Sequence, residues 1–184
     1  MASSAKHGYC PVDMETDDAV MDLTVACVTS VKNATGIELD LTQDTLPVLD
    51  HYGELANSSR DEVVSLVAPM CGAYLGELIR HQLGDGTWHL DPEDHSNWRL
   101  GFDACSLRFN PIGIALEVLL GQEVPDWGAH LQTSVEDQLR VKKALEVYGD
   151  VRDRDYYTFT VRFEAIEQAY LGLLKNHEGM HPKG

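Results

Sequence analysis

The sequence predicts an α+β fold, a single domain in which a small antiparallel sheet packs on about five or six helices. Three observations lead to this prediction. Residues 87–110 alternate apolar and polar side chains in three short runs, as a three-stranded meander does. Long stretches on either side place apolar residues at helical spacing. The 184 residues, of which 43% are hydrophobic and 24% charged, have the size and composition of one globular domain.

The first helix is predicted over about residues 14–31, within a domain that should span residues 13–176. Apolar side chains recur there every three or four residues, behind a first turn rich in carboxylates, which the positive end of the helix dipole favours. Residues 1–12 show no periodicity and are expected to form a flexible arm, and residues 177–184 a flexible tail.

A short strand is predicted over residues 36–41, because three aliphatic side chains alternate there with two acidic ones. This strand could join the meander. Directly after it, Asp44 or Thr45 precedes Pro47, a pattern typical of a helix start. The second helix should therefore run from there to about Leu55.

The third helix begins with a capping box and contains two glycines one turn apart. Ser59 and Glu62 form the S-x-x-E pattern, in which the two side chains bond reciprocally to backbone amides. More than half of the helix circumference is apolar up to about Leu83, so the helix should be buried in the middle of the domain. Gly72 and Gly76 should let a strand or a helix pack closely against it.

The predicted meander has one apolar and one polar face. Its apolar side chains should face the third helix, because successive side chains of a strand point to opposite faces. These are Trp88, Leu90, Trp98, Leu100, Phe102, Leu107 and Phe109. The same alternation sends polar side chains to the opposite face or its rim. Prominent among them are His89, Arg99, Arg108 and Asn110.

Asn110 also has a predicted role in the backbone. It directly precedes Pro111, and an asparagine before a proline is a frequent start of a helix. Gly121 follows the last apolar residue of the periodic run and should end that helix in a left-handed conformation. The sequence therefore predicts a helix with both of its ends defined.

Two helices are predicted after the loop that follows. Thr133 and Glu136 form a second capping box, for a helix that should extend to Gly149. Residues 160–175 place apolar side chains at helical spacing and are predicted to form the last helix. Residues 156–163 also alternate like a strand, which leaves a strand as the alternative at its start.

The charge balance excludes some classes of partner. Fourteen basic residues stand against 30 acidic ones, a formal net charge of −16, which repels phosphate backbones and disfavours direct nucleic-acid binding. No mainly apolar stretch reaches the roughly 20 residues of a membrane span, and the N-terminus lacks a secretory signal. We expect a cytoplasmic protein whose cysteines, Cys10, Cys27, Cys71 and Cys105, are free thiols.

The polar face of the sheet is the first candidate site, with His89, Arg99, Arg108 and Asn110. Two guanidinium groups side by side can grip a carboxylate or a phosphate. The alternative is that these arginines form salt bridges with nearby carboxylates such as Asp91 or Asp103. Either a ligand or a protein partner could bind this face.

A second candidate is a metal site made of Glu77, His81, His89 and His95. Glu77 and His81 share one helix face because they are four residues apart, and the two other histidines lie in the following hairpin. Imidazoles and carboxylates are good ligands for zinc or non-haem iron. The spacing matches no zinc or iron signature, so polar surface residues are the alternative.

Four segments of the sequence resemble an uncharacterised bacterial family, a domain of unknown function. The segments are LDLTQDTLPVLDHY from residue 39, APMCGAYLGELIRHQLGDGTW at 68–88, RFNPIGIALEVLLG at 108–121 and DYYTFTVRFEAIEQA at 155–169. Their most specific part is GAYLGE followed by a tryptophan strand. The resemblance implies a small cytoplasmic bacterial domain and carries over no catalytic residue.

The sequence contains no nucleotide-binding loop, metal cage or nucleophile motif. We therefore expect a non-enzymatic accessory or interaction domain, regulatory or immunity-like, that needs no cofactor and binds a protein partner through its acidic surface. The first alternative is a metal-assisted hydrolase or oxygenase that uses the residues between 77 and 95. The second is a nucleic-acid mimic whose carboxylates imitate phosphates.

Overall fold

A three-stranded antiparallel sheet packs against a set of helices, so the predicted α+β class and the predicted meander are confirmed. The computed structural model describes residues 11–57, 61–84, 86–149 and 153–174. The strands are β1 (Gly86–His89), β2 (Arg99–Phe102) and β3 (Arg108–Phe109), in the order β1-β2-β3. The helices are α1 (Pro11–Thr35), α2 (Leu46–Asn57), α3 (Asp61–Leu83), α4 (Pro111–Leu120), α5 (Gln138–Leu145), α6 (Asp153–Tyr156) and α7 (Phe159–Leu174).

Helix α3 is the centre of the fold and contacts α1, α2, α4, α7 and β1. Its two glycines explain how neighbours approach so closely. A Cβ atom added to Gly72 would lie 2.5 Å from the Cα of Ile112 in α4. One added to Gly76 would lie 2.2 Å from the ring of Trp88 in β1. Close packing of a helix and a strand at these glycines is thus confirmed.

The predicted strand at residues 36–41 is wrong, because this segment is a loop that pairs with none of the described strands. Leu39 is buried, but Leu41 has a φ of +59°, which an extended strand does not allow. Its amide donates to the hydroxyl of Tyr74 over 3.0 Å, and its carbonyl accepts from Gln82 over 3.1 Å. Side chains of α3, rather than a neighbouring strand, therefore satisfy this backbone.

Helix α4 has both of its predicted ends. The side chain of Asn110 accepts bonds from the amides of Ile112 (2.9 Å) and Gly113 (3.2 Å). Pro111 occupies the first turn, where its missing N–H costs no hydrogen bond. Gly121 has a φ of +63° and ends the helix. Both ends of α4 were therefore predicted correctly from residues that are adjacent in the chain.

Both predicted C-terminal helices form, and the first, α5, continues as a 3₁₀ turn, Glu146–Tyr148, up to Gly149. The capping box of Thr133 and Glu136 is wrong, because α5 begins only at Gln138 and the hydroxyl of Thr133 bonds to Ser106 over 2.6 Å. The last helix is confirmed as α7, so residues 159–163 are helical and not a strand.

Some predictions fall outside the described residues. These are the arm before Pro11, the capping serine Ser59 and the tail from residue 177. Helix α1 begins at Pro11, inside the predicted arm, and ends at Thr35. Within the described part of the chain, no helix has the length and apolarity to cross a membrane.

Candidate functional site

The polar face of the sheet carries a groove with a volume of about 320 Å³, which we call the sheet groove. Three of the four residues predicted for this face line it, namely His89, Arg99 and Arg108. Its other lining residues come from β2 and from the turn before β3: Gly101, Phe102, Asp103, Cys105, Ser106 and Leu107. The structure therefore gathers most of the predicted site around one depression.

Strand pairing places these side chains together. His89 is the partner of Arg99, and Gly101 is the partner of Arg108. Leu100 is buried on the helix side, so its neighbours Arg99 and Gly101 point to the polar face.

Gly101 is the floor of the groove. A Cβ atom added there would lie 3.8 Å from the Cβ of Arg108 and 4.0 Å from Nε2 of His89. These are ordinary contact distances, so a small side chain would fit at this position. Because glycine has none, the two flanking side chains leave bare backbone between them, and the groove exists for this reason.

The guanidinium of Arg99 is committed to the protein. Its Nη1 donates to the carbonyls of Ser96 and Trp98, both over 2.7 Å. Its outer nitrogens lie under Gly128, where an added Cβ atom would come within 2.5 Å of Nη2. Arg99 therefore joins the turn before β2 to the loop before α5, and it forms a fixed wall of the groove.

Arg108 is fixed in its backbone and free in its side chain. Its amide donates to the carbonyl of Gln132 over 2.9 Å, and its carbonyl accepts from the amide of Gln132 over 2.8 Å. Its side chain is exposed and forms no ion pair or hydrogen bond with any described residue. Arg108 is thus a cation held at a defined place that forms no ion pair with a described residue, although Asp103 lines the same groove.

The predicted alternative, salt bridges from these arginines to Asp91 or Asp103, is not found among the described residues. Asp91 instead accepts from the side chain of Asn97 over 2.9 Å and from the amide of Glu93 over 3.0 Å. These bonds, that of Asn97 first, lower the pKa of the Asp91 carboxyl below its usual value. The carboxylate of Asp91 is therefore used within its own turn.

Asn110 does not belong to the sheet groove. Its side chain is 0% exposed, and its amide group donates to the carbonyls of His95 (2.9 Å) and Ser96 (3.1 Å) while its oxygen caps α4. Strand β3 ends at Phe109, so the alternation of faces that placed Asn110 outside no longer applies.

A hydrogen-bond network that the sequence did not reveal borders the groove at Ser106. Its hydroxyl donates to Oδ2 of Asp137 over 2.7 Å and lies 2.6 Å from the hydroxyl of Thr133. Asp137 also accepts from Ser134 and from Arg140. These partners, Ser106 first, lower the pKa of the Asp137 carboxyl. The network joins the start of α5 to the rim of the groove.

The predicted metal site of Glu77, His81, His89 and His95 does not assemble. Glu77 accepts from the indole of Trp88 over 2.7 Å and from Arg80 over 2.9 Å. His95 packs edge-on against Trp98, with ring centres 4.6 Å apart, and His89 lies in the sheet groove. No group of three metal-ligating side chains in the described parts of the chain could hold an ion.

The three described cysteines are free thiols. Cys71 is buried against Cys27, and the hydrogen bond between them, followed by burial, raises the pKa of Cys71 well above its usual value. Burial also raises the pKa of Cys105 in the groove. Neither thiol is therefore activated as a nucleophile.

Comparison of the chain with models of protein families, with curated proteins and with solved structures gives no match. The resemblance to an uncharacterised bacterial family therefore stays a prediction.

Proposed function

We propose that this protein is a non-enzymatic interaction domain that docks on a basic protein partner and holds one carboxylate of that partner in the sheet groove. One observation carries the proposal. In a chain with 30 acidic and only 14 basic residues, the exposed guanidinium of Arg108 faces an open groove and has no acidic partner among the described residues.

The groove suits a carboxylate. A guanidinium presents a planar pair of N–H groups that matches the two oxygens of a carboxylate. Gly101 leaves room for that group to approach between Arg108 and His89. Arg99 adds positive charge in the wall while its own position is fixed by two carbonyls. Binding would therefore cost little side-chain entropy at Arg99.

The rest of the surface selects the kind of partner. A net charge of −16 repels polyanions, so a nucleic acid or a strongly acidic protein would be held away from the groove. A basic surface is attracted by the same charge, and complementary charge accelerates association. A partner with a basic surface would be attracted by the acidic surface of this protein. An isolated carboxylate on that partner could then bind Arg108 in the groove.

Catalysis in the groove has less support. The hydroxyl of Ser106 donates a hydrogen bond to Asp137, but the lowered pKa of Asp137 makes this carboxylate a weak base. Cys105 has a raised pKa and so stays protonated near neutral pH. Neither the pair of Ser106 and Asp137 nor the thiol of Cys105 therefore supports nucleophilic catalysis.

The test is affinity capture from cells of the source organism with four forms of the protein. They are the wild type, Arg108→Gln, Gly101→Val and, as a matched control, Lys142→Gln, which removes an exposed positive charge on α5 outside the groove. We expect a basic protein to bind the wild type and the control, and both groove variants to bind it about tenfold more weakly or worse. Binding should also weaken strongly when salt is raised from about 0.05 to 0.5 M.

Two results would overturn the proposal. In the first, the same partner binds all four forms equally, which is what a nucleic-acid mimic acting through carboxylates alone would show. In the second, no protein distinguishes the wild type from the groove variants, while the pure protein turns over a small substrate.

A further inference from the structure

His89 lines the sheet groove with a side chain that is exposed and has no partner within the described part of the protein. It forms no hydrogen bond and no ion pair with any described residue. A Cβ atom added to Gly101 would lie 4.0 Å from Nε2 of His89, so the ring stands beside the bare backbone at the floor of the groove. The imidazole therefore borders the space that a carboxylate of the partner would enter.

Three charged groups and one thiol share the groove with His89. Arg99 is its partner across β1 and β2, and Arg108 lies on the other side of the groove floor. Asp103 and Cys105 belong to the turn between β2 and β3. Nη1 of Arg99 donates to two backbone carbonyls, whereas Arg108 and His89 have no such bonds with described residues. Two side chains can therefore donate to one bound anion.

The charge of the imidazole determines how well it serves as the second donor. In a neutral imidazole only one nitrogen carries a proton, so Nε2 donates in one of the two tautomers. In the imidazolium both nitrogens donate, and the bond to a carboxylate also joins opposite charges. Histidine is the side chain that changes between these forms in the range from about pH 5 to about pH 8. The groove is therefore a stronger carboxylate site at the acidic end of that range.

Protonation of the imidazole and binding of a carboxylate reinforce each other. A carboxylate next to an imidazole favours its positive form. Binding therefore takes up a proton, and because such coupling is reciprocal, the affinity for the carboxylate rises as the pH falls. An aspartate of the partner stays ionised in this range, since it is protonated only near about pH 4. The effect of pH on this contact therefore has one sign from about pH 8 to about pH 5.5.

We propose that His89 is a second binding residue of the sheet groove and makes the groove bind the partner's carboxylate more tightly at about pH 5.5 than at about pH 8. This inference rests on the proposed function, because it concerns the same carboxylate. It adds a condition to that function: docking is strongest in mildly acidic surroundings.

The test uses two capped basic peptides as probes. Each has two lysines on either side of a central residue, which is aspartate in one peptide and asparagine in the other. Isothermal titration calorimetry gives the affinity of the wild type for both peptides at about pH 8 and about pH 5.5. We expect the ratio of the two affinities, aspartate over asparagine, to rise about fivefold or more at the lower pH. Binding of the aspartate peptide should also take up a fraction of a proton, measured by repeating the titration in buffers with different heats of ionisation.

Three variants assign the effect to His89. His89→Gln keeps a hydrogen-bond donor but cannot become charged, so its affinity ratio should stay nearly constant with pH. His89→Lys carries a permanent charge, so its ratio should be high at both pH values. His81→Gln is the matched control, because it removes an exposed histidine of α3 outside the groove and should behave like the wild type. Circular dichroism checks that each variant is folded.

The possible failures are distinguishable. A wild-type ratio that exceeds one but does not change with pH would overturn this inference and leave the proposed function standing. A ratio that rises as much in His89→Gln as in the wild type would assign the pH dependence to another group, and it would overturn the inference too. A wild-type ratio of one at both pH values would instead contradict the proposed function itself, and the inference with it.

Discussion

The two faces of the sheet use glycine for opposite reasons. On the helix side, a Cβ atom added to Gly76 would lie 2.2 Å from the ring of Trp88, so glycine there permits a contact that any other residue would prevent. On the polar side, a Cβ atom added to Gly101 would meet nothing nearer than 3.8 Å. The glycine of α3 that faces the inner side of the sheet therefore lets the core pack closely, whereas the glycine of β2 on the outer side keeps a groove open.

The two faces also differ in whether their polar side chains have hydrogen-bond partners within the protein. On the inner side, the indole N–H groups of Trp88 and Trp98 donate to Glu77 and to the carbonyl of Asp91, both over 2.7 Å. On the outer side, Arg108 has no such partner among the described residues. A fold satisfies polar groups where burial would otherwise cost free energy, and an exposed group can stay available for binding.

The largest effect on stability is expected at Gly72, where α3 and α4 approach each other most closely. In Gly72→Ala, the new methyl group would lie 2.5 Å from the Cα and 2.8 Å from the N of Ile112, and backbone atoms cannot move aside without separating α3 from α4. We expect the free energy of unfolding to fall by about 3 kcal/mol, measured by urea denaturation.

Gly53→Ala is the matched control, because its new methyl group would meet the flexible end of Leu119 at 3.3 Å and would favour the helical backbone of α2. It should leave the stability nearly unchanged or raise it. Equal stability of Gly72→Ala and the wild type would show that α3 and α4 do not pack this closely.

The second largest effect is expected at Asn110, which supports the inner face from the end of β3. Asn110→Ala removes the cap of α4 and the side-chain hydrogen bonds to the carbonyls of His95 and Ser96. The expected loss is about 2 kcal/mol. Asn110→Asp keeps the acceptor but not the donor, so its stability should lie between the two. If the Asp variant matched the wild type, the bonds to the carbonyls would contribute nothing.

The features that the sequence predicted correctly depend on neighbours along the chain. The cap of α4 at Asn110, its end at Gly121 and the alternation of the meander are examples, and each is set by residues a few positions apart. The groove could be predicted to the same extent, since His89, Arg99 and Arg108 follow from alternation alone.

The wrong predictions depend on partners that are distant in the chain. Thr133 fits a capping box, but the hydroxyl of Ser106 competes for its side chain from 27 positions away. The segment at 36–41 alternates like a strand, yet Tyr74 binds its backbone. One distant contact could have been predicted from the sequence, the ion pair of Glu117 and Arg162. Glu117 is the only charged residue in the ten residues of α4, and a single carboxylate in an apolar helix indicates a buried basic partner.

A smaller, pH-dependent effect is expected at Asp137 on the outer face. Its pKa in the folded state lies below the unfolded value of 3.8, so its stabilising contribution is complete above that pH and is lost as the pH falls through the lowered pKa. Asp137→Asn should therefore be less stable than the wild type at pH 7, and the difference should shrink at about pH 3. Glu136→Gln, in the same turn and without these bonds, is the control. A difference that stays constant with pH would contradict the argument.

The smallest effect on stability is expected at the glycine of the outer face. Gly101→Val replaces a flexible residue in a strand with one that strands favour, and its Cβ atom would lie at ordinary contact distances from its neighbours. We expect the free energy of unfolding to change by less than about 1 kcal/mol, in contrast to Gly72→Ala. Binding at the sheet groove should nevertheless be lost, because the added side chain lies between His89 and Arg108. A stable variant that no longer binds would separate the two roles of glycine, whereas a loss of stability as large as that of Gly72→Ala would mean that the outer face is packed like the inner one.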